Sequence, residues 1–260
     1  MRLLTLATLT IVSALMFMGH ARAANYNPDI LWNIVNSCVD NEHQHNAPKP
    51  CTLVNLRPDR AHGFAVLKDI RGATQYLLLP TRKITGIEDP LILQPDATNY
   101  FAEAWKARRF VERAAHRRLP RTFIALAVNS QPSRGQNQLH IHIDCVRADV
   151  AQAIAKQENH IGKNWAPLGV ALGKAQHQYL AMRVNGANLG RINPFKLLAN
   201  QLPGARANMG QHTLVVVGIR HHSVPGFVIL DYQIDHAGDF AAGEELLDHN
   251  RCGAAAPPTH

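Results

Sequence analysis

Histidine and aliphatic residues alternate at residues 139–143, and this Leu-His-Ile-His-Ile run limits the fold more than any other feature of the chain. Side chains two residues apart on a β-strand point to the same face of the sheet. The three aliphatic side chains are therefore expected to face a core, while His140 and His142 share the opposite, accessible face. Two imidazoles side by side can act as nucleophiles, metal ligands or acid–base groups.

The residues before this run predict a strand, a tight loop and a second strand. An apolar stretch at 123–128 ends in Asn129, and a loop with proline and glycine follows at 130–136. This arrangement would bring Asn129, Gln136 and the two histidines together near one end of the strands. Amide donors, ring nitrogens and loop N–H groups around one point are suited to binding a phosphate.

Two other interpretations of the histidine pair stay open at this point. The pair could be an ordinary solvated face of a strand. It could also offer two metal ligands, because His-x-His on a strand is a common ligand arrangement. Asp144 would point to the same side and is the nearest candidate for a third ligand, although none stands at a diagnostic spacing. A periplasmic metal- or lipid-binding protein that uses His140 and His142 is therefore the alternative to an enzyme.

The segment 127–150 resembles the histidine-triad superfamily of nucleotide hydrolases and transferases. The superfamily signature is His-φ-His-φ-His-φ-φ, where φ is apolar; here Gln138 takes the first position, His140 the middle and His142 the last. The chain after its first residues also resembles the bacterial CDP-diacylglycerol pyrophosphatase family. The matching segments are VLKDIRGATQYLLLPTRKITGIEDP at 66–90, AWKARRF at 104–110, AVNSQPSRGQNQLHIHIDCVRADV at 127–150, YLAMRV at 179–184, NPFKLLA at 193–199 and DHNRC at 248–252.

The resemblance implies an α+β fold for residues 24–252, with a histidine-triad-like antiparallel sheet and flanking helices. It implies hydrolysis of CDP-diacylglycerol to CMP and phosphatidate, with the membrane lipid as substrate and the membrane surface as partner. His140 would attack the phosphorus on the cytidine side, and water would then cleave the covalent histidine–nucleotide intermediate. The scheme requires no metal or other cofactor. A related hydrolase of soluble nucleotide diphosphates is a third interpretation.

The resemblance also assigns roles to single residues. His140 and His142 would be catalytic, and a backbone carbonyl is expected to orient His140 through its second ring nitrogen. The phosphate-binding residues are expected to be Asn129, Gln136, Gln138 and Lys83. Lys83, or its neighbour Arg82, stands where the superfamily often has a histidine. Gln138 departs from the signature because an amide cannot carry charge, but phosphatidate is an adequate leaving group unaided, so activity is still expected.

The first 23 residues predict a targeting segment. Arg2 gives a minimal positive region, residues 3–18 are almost wholly apolar, and Ala21-Arg22-Ala23 is a small-x-small cleavage site. The apolar stretch is similar in length to the shortest membrane spans, so the segment is either a cleaved signal peptide or an N-terminal membrane anchor. Both alternatives predict export, to the inner membrane or the periplasm, with the catalytic domain on the periplasmic side.

Four cysteines in an exported chain predict two disulfides, for which three pairings exist. Cys38 and Cys51 are close in sequence and flank a polar loop, so they are expected to pair. That choice leaves Cys145, just beyond the histidine strand, for Cys252. The second bridge would close a loop of about 100 residues, for which chain entropy predicts about 4–5 kcal/mol of stabilisation.

The chain is basic, with a net charge of +8 when the histidines are neutral. A basic surface favours anionic partners such as a lipid face or a diphosphate. No segment resembles a nucleic-acid-binding module, so nucleic acid is not an expected partner. The cationic run Lys106–Arg118 is predicted to be the solvated face of a helix, with a membrane-surface patch as the alternative.

A helix followed by a strand pair occurs twice along the chain. Residues 27–160 and 161–252 could therefore be the halves of a pseudo-two-fold duplication, with the histidines lost from the second half. Asn-Pro pairs at 27–28 and 193–194 predict helix starts in the two halves. Three further segments are predicted to be a connection between the halves, a last helix and a flexible tail: residues 160–176, 244–250 and 253–260.

Overall fold

A computed structural model describes residues 27–249 and Cys252, and in this range ten antiparallel strands form one sheet that is flanked by four α-helices. The fold class is α+β, as the sequence predicts. The strands are β1 Leu53–Asn55, β2 Phe64–Lys68, β3 Tyr76–Pro80, β4 Ile124–Val128, β5 Ile141–Val146, β6 Ala166–Leu172, β7 His177–Asn185, β8 His212–His221, β9 Val224–Gln233 and β10 Leu247–Asp248. The helices are α1 Ile30–His45, α2 Tyr100–Ala114, α3 Ala148–Gln157 and α4 Pro194–Gln201.

The order of strands across the sheet is β1-β2-β3-β5-β4-β8-β9-β7-β6, and β10 pairs with the end of β5. In chain order, a hairpin (β2–β3), a helix (α2) and a second hairpin (β4–β5) are followed by another hairpin (β6–β7), helix (α4) and hairpin (β8–β9). Each group lies in the sheet in the same order, β2-β3-β5-β4 and β6-β7-β9-β8. The two groups meet where β4 pairs with β8.

The helices cover opposite faces of the sheet. On one face, α2 and α4 pack over a large apolar cluster that includes Ile141 and Ile143 of β5. On the other face, α1 covers β2 and β3, and α3 covers the sheet formed by the second half of the chain. The alternation predicted for residues 139–143 is therefore confirmed, and the histidines lie on the face that carries α1 and α3.

Asparagine side chains cap two of the four helices, α2 and α4. Asn193 accepts hydrogen bonds from the backbone N–H groups of Phe195 and Lys196, and Pro194 is the first residue of α4. Asn99 caps α2 in the same way by accepting from Ala102. In the first half the helix begins at Ile30 rather than at the predicted proline, because the side chain of Asn27 instead accepts from the N–H of Asp29.

Two predicted segments differ from the structure. The connection predicted at 160–176 contains β6, an edge strand that pairs with β7 on both sides of a bulge. The helix predicted at 244–250 is a short 3-10 turn, Gly243–Leu246, followed by β10. A side chain at Gly243 would meet Thr213 and Val215 at 3.0 Å, so glycine allows this segment to lie directly on the sheet. Packing against the sheet thus overrides the local helix preference.

Both predicted disulfides, Cys38–Cys51 and Cys145–Cys252, are present. Two disulfides are consistent with an exported protein. The predicted leader at 1–23 and tail at 253–260 lie outside the described residues. Within 27–249, no helix is both long and apolar enough to cross a membrane.

Candidate active site

His140 and His142 lie next to each other at the start of β5, with ring centroids 5.0 Å apart. The sequence predicts an accessible face, but His140 is only 8% exposed and His142 only 4%. The segment 241–246 crosses the sheet on this side and accounts for the difference. Its Ala241 carbonyl accepts from Thr213 Oγ1, and Glu244 Oε2 lies 3.3 Å from Nδ1 of His142.

The ring of His140 is held with one nitrogen free. Its Nδ1 lies 2.7 Å from the carbonyl oxygen of Gln138, which can only accept, so Nδ1 carries the proton and Nε2 keeps its lone pair. The predicted backbone hydrogen bond is confirmed. Burial, and secondarily the neighbouring His142, lowers the pKa of His140 to about 4. The imidazole is therefore neutral at pH 7, as a nitrogen nucleophile must be.

His142 is oriented by a side chain that the sequence interpretation missed. Gln75 Nε2 lies 3.2 Å from Nδ1 of His142 and also donates to a carboxylate oxygen of Asp69. Because a carboxylate only accepts, Asp69 fixes which end of the Gln75 amide faces the ring. Gln75 and the Glu244 carboxylate both face Nδ1 of His142: a hydrogen bond from Gln75 places the ring proton on Nε2, whereas a hydrogen bond to Glu244 requires it on Nδ1. Within the described residues this buried Nε2 has no hydrogen-bond partner, so it can donate to a ligand oxygen.

Glu244 is a second residue that sequence interpretation missed, because it was assigned to a helix. Besides its contact with His142, its backbone N–H donates to Asn129 Oδ1 at 3.5 Å. Its carboxylate also lies 3.9 Å from Arg71. The close approach of Gly243 to the sheet places Glu244 here. The glycine immediately before it is the sequence signal that could have indicated this position. Asn129 and both histidines thus converge as predicted and Glu244 joins them, whereas Gln136, predicted to lie in the same cluster, bonds to backbone groups at the start of α1.

The other predicted phosphate ligands have protein partners. Gln138 is fully buried; its Nε2 donates to the carbonyls of Pro80 and Arg82 at 2.9 and 3.0 Å. Gln136 bonds through its Oε1 and Nε2 to backbone groups at the start of α1. Lys83 pairs with Asp29. The three side chains hold the loops around the histidines, and their direct contact with phosphate stays a prediction.

Asp144 points to the same side as the histidines, as predicted, but it has other partners. Its Oδ1 accepts from Thr74 Oγ1 at 2.7 Å and from the N–H of Cys145 at 2.8 Å. Its Oδ2 lies 3.8 Å from His249 Nδ1, and this contact raises the pKa of His249. In the described part of the chain, His140, His142 and Asp144 do not gather their ligand atoms within 4.8 Å of one another. The alternative metal site is therefore not formed by these three residues.

The buried histidines predict that the protein loses stability in mild acid. Burial lowers the pKa of His140 in the folded state, whereas a histidine of the unfolded chain titrates at about 6.5. Below that pH the unfolded state binds more protons, so the free energy of unfolding should fall toward pH 4, and above it His140 should have no effect. Between pH 7.5 and 5.0, His140 should account for about 2 kcal/mol of the loss.

Urea denaturation of the wild type and of His140→Gln across this pH range measures the effect. The variant lacks the titrating ring, so its free energy of unfolding should fall less steeply with decreasing pH. If the free energy of unfolding changed equally with pH in the two proteins, the neutral, buried state of His140 would be contradicted.

Comparisons with known proteins identify the family of the chain. The family model described as CDP-diacylglycerol pyrophosphatase matches residues 26–256. A protein of Yersinia pestis described as CDP-diacylglycerol pyrophosphatase is 39% identical over 226 residues, which cover 86% of this chain and 84% of that protein. The range matched by the family model contains His140, His142 and all four disulfide cysteines.

Proposed function

The chain belongs to the CDP-diacylglycerol pyrophosphatase family and hydrolyses CDP-diacylglycerol, and we propose that it does so in two steps through a covalent bond to His140. One observation carries this proposal. The Nδ1 proton of His140 is bonded to the Gln138 carbonyl while burial keeps the ring neutral, which leaves the Nε2 lone pair as the nucleophile. The same carbonyl stabilises the positive charge that develops on the ring.

In the first step, Nε2 of His140 attacks the phosphorus on the cytidine side of the diphosphate. A P–N bond forms, the bond from that phosphorus to the bridging oxygen breaks, and its electron pair leaves with phosphatidate. The phosphate of phosphatidate accepts this charge without a proton from the protein. The presence of Gln138 at the first triad position is compatible with such a step, because that amide cannot supply a charge or a proton.

His142 is proposed to stabilise the phosphorus centre rather than to attack it. With Gln75 donating to Nδ1, the ring proton would lie on Nε2, and this N–H would donate to a non-bridging oxygen. Asn129 would add an amide donor beside it. Gln136, Gln138 and Lys83, which the family resemblance assigns to phosphate binding, are proposed to support that binding by holding the loops that border the two rings.

In the second step, water attacks the phosphorus of the intermediate. The P–N bond breaks, CMP leaves with the oxygen of water, and His140 returns to its neutral form. Water gives up one proton in this step. Glu244 is the proposed acceptor because its carboxylate contacts His142.

We also propose that the domain, residues 24–252, is histidine-triad-like and arose by a pseudo-two-fold duplication with halves 27–160 and 161–252. The identical strand order of the two hairpin–helix–hairpin groups supports this proposal. By this correspondence β9 is the counterpart of β5. On the face where β5 carries histidines, β9 carries Val228 and Leu230, which pack in an apolar cluster. The second half would then have kept the strand arrangement and lost the histidines.

The lipid substrate is proposed to be reached at a membrane surface, with the domain on the periplasmic side and residues 1–23 as the signal peptide or anchor. The two disulfides and the leader-like sequence support this location. The alternative, a periplasmic metal- or lipid-binding protein that uses His140 and His142, is less well supported, because neither ring is arranged with a third ligand in the described residues.

Hydrolysis in oxygen-18 water tests the proposed reaction. Attack on the cytidine-side phosphorus should place the heavy oxygen in CMP and leave phosphatidate unlabelled, as mass spectrometry of both products would show. Heavy oxygen in phosphatidate would instead demonstrate attack on the lipid-side phosphorus and refute the proposal.

A further inference from the structure

Four large apolar side chains stand exposed in the described part of the chain: Ile30, Ile70, Val224 and Phe240. We propose that Ile30, Ile70 and Phe240 form a rim around the histidine face and insert into the surface of the lipid bilayer during turnover. This inference rests on the proposed function, since it specifies how a membrane-bound substrate reaches His140. We call these three residues the apolar rim.

Ile30 stands beside the loop that leads into β5. It lies between Asp29, which pairs with Lys83, and Leu31, whose backbone N–H donates to Gln136 at 3.0 Å. The first turn of α1 is thereby fastened to the segment just before His140. The side chain of Ile30 is nonetheless 47% exposed.

Ile70 stands at the other end of the histidine face, in the turn between β2 and β3. Its neighbour Asp69 holds Gln75, which contacts His142, and its other neighbour Arg71 reaches toward Glu244. Both flanking residues therefore contact the site. Ile70 itself is 99% exposed, so it packs against almost nothing in the folded chain.

Phe240 stands on the third side, at the start of the segment that crosses the histidine face. The next residue, Ala241, donates its N–H to Ser133 Oγ in the loop before the histidines. Four residues further on, Glu244 contacts His142. The ring of Phe240 is 51% exposed. The apolar rim therefore comes from three separate segments, and each segment contacts residues that lie close to His140 or His142 in the chain or in the fold.

The chain offers arguments for a bilayer as the occupant of this face. The carbonyl of Asn27 accepts from Gln136 beside the site, and the first 26 residues of the sequence come directly before Asn27. Those residues include the apolar stretch 3–18, which is long enough to bury in lipid.

The cationic helix α2 is the competing membrane surface. Its exposed side chains include Lys106, Arg109 and Arg113. However, α2 packs on the face that receives Ile141, opposite to the histidines. A bilayer lying on α2 would leave His140 on the far side of the sheet from the lipid. The apolar rim, in contrast, places the diphosphate at the histidines while the acyl chains stay in the membrane.

The test compares one enzyme on two forms of substrate. The full-length triple variant Ile30→Ser, Ile70→Ser, Phe240→Ser is assayed on long-chain CDP-diacylglycerol in phosphatidylcholine vesicles and on a dihexanoyl form dissolved as monomers. We expect kcat/KM to fall at least about tenfold on vesicles, since three apolar contacts with lipid are lost, and to change less than about twofold on the dissolved substrate. Val224→Ser is the matched control, because Val224 is 48% exposed but lies at the distant β8–β9 turn.

Three outcomes would overturn the inference. Unchanged activity on vesicles would show that the rim does not meet the bilayer. Equal loss on both substrates would show that the rim supports the site itself. Loss on vesicles after Lys106→Glu, Arg109→Glu, Arg113→Glu, with none after the rim substitutions, would assign the membrane to α2. Failure of the proposed function is distinguishable, because His140→Ala would then retain activity on both substrate forms.

A fluorescence measurement gives an independent readout that does not depend on catalysis. The emission of Phe240→Trp should shift to shorter wavelength when vesicles are added, relative to the wild-type background. Val224→Trp should show no such shift. Identical responses of the two variants would contradict insertion of the rim.

Discussion

His140→Ala should lower kcat/KM for CDP-diacylglycerol by at least about 10⁴-fold, because the variant lacks the nucleophile on which both steps depend. The remaining groups could still bind the diphosphate, so substrate affinity should change much less than turnover. Release of CMP from CDP-diacylglycerol, followed over time by chromatography, measures the effect. Circular dichroism and thermal unfolding should show that the variant keeps its fold.

Two further variants test whether activity is lost because the nucleophile is missing or because the packing is altered. His140→Asn keeps an amide N–H near the position of Nδ1 for the Gln138 carbonyl but removes the nucleophilic nitrogen, so it should be as inactive as the alanine variant. His45→Ala removes an exposed histidine from the end of α1 and should leave activity unchanged. If His140→Ala released CMP at the wild-type rate, His140 would have no part in the reaction.

Removal of the Cys145–Cys252 bridge should lower the free energy of unfolding more than any other substitution proposed for this protein. The bridged residues are 107 positions apart, and chain entropy assigns about 4.7 kcal/mol to a loop of about that length. The bridge also lies beside the site, since Cys252 Sγ is 3.6 Å from Asp144 Oδ1. Urea unfolding of Cys145→Ala, Cys252→Ala under non-reducing conditions measures the change in free energy of unfolding.

The other disulfide provides the matched comparison. Cys38 and Cys51 are 13 positions apart, for which the same relation gives about 3 kcal/mol. Replacing the long-range pair by alanine should therefore lower the free energy of unfolding more than replacing the short-range pair. A smaller loss for Cys145→Ala, Cys252→Ala than for Cys38→Ala, Cys51→Ala would contradict the loop-length argument.

Local patterns were sufficient to predict the histidine strand and the Cys38–Cys51 disulfide, and the Cys145–Cys252 disulfide then followed by elimination. The two-residue period of residues 139–143 sets the face of each side chain, and this period needs no knowledge of the rest of the fold. The helix start at Asn193 likewise depends on adjacent residues. The proximity of Asn129 to the histidines follows from a tight connection between neighbouring strands.

The surroundings of the histidines could not be read from local patterns. Gln75 reaches His142 because β3 pairs with β5, which joins residues 67 positions apart. Glu244 reaches the same ring from more than 100 positions away through the segment that Gly243 allows onto the sheet. These long-range contacts also bury a face that sequence alone predicted to be accessible.

Gln138 shows that a local sequence pattern can assign a role to a side chain that the fold uses for other hydrogen bonds. The superfamily signature places it among the phosphate ligands. In the fold, the backbone carbonyls of Pro80 and Arg82 need donors at the end of β3, and the Gln138 amide supplies them. This hydrogen bonding lets Gln138 present its own carbonyl to His140, so it acts on the reaction through the tautomer of the nucleophile.

The stereochemical course at phosphorus tests the covalent mechanism most directly. The substrate would be CDP-diacylglycerol with a sulfur at one non-bridging position of the cytidine-side phosphate, hydrolysed in oxygen-18 water. Each in-line displacement inverts the phosphorus, so two successive displacements, by His140 and then by water, should give a thio-CMP of retained configuration. An inverted product would mean a single direct attack by water and would contradict the covalent histidine intermediate.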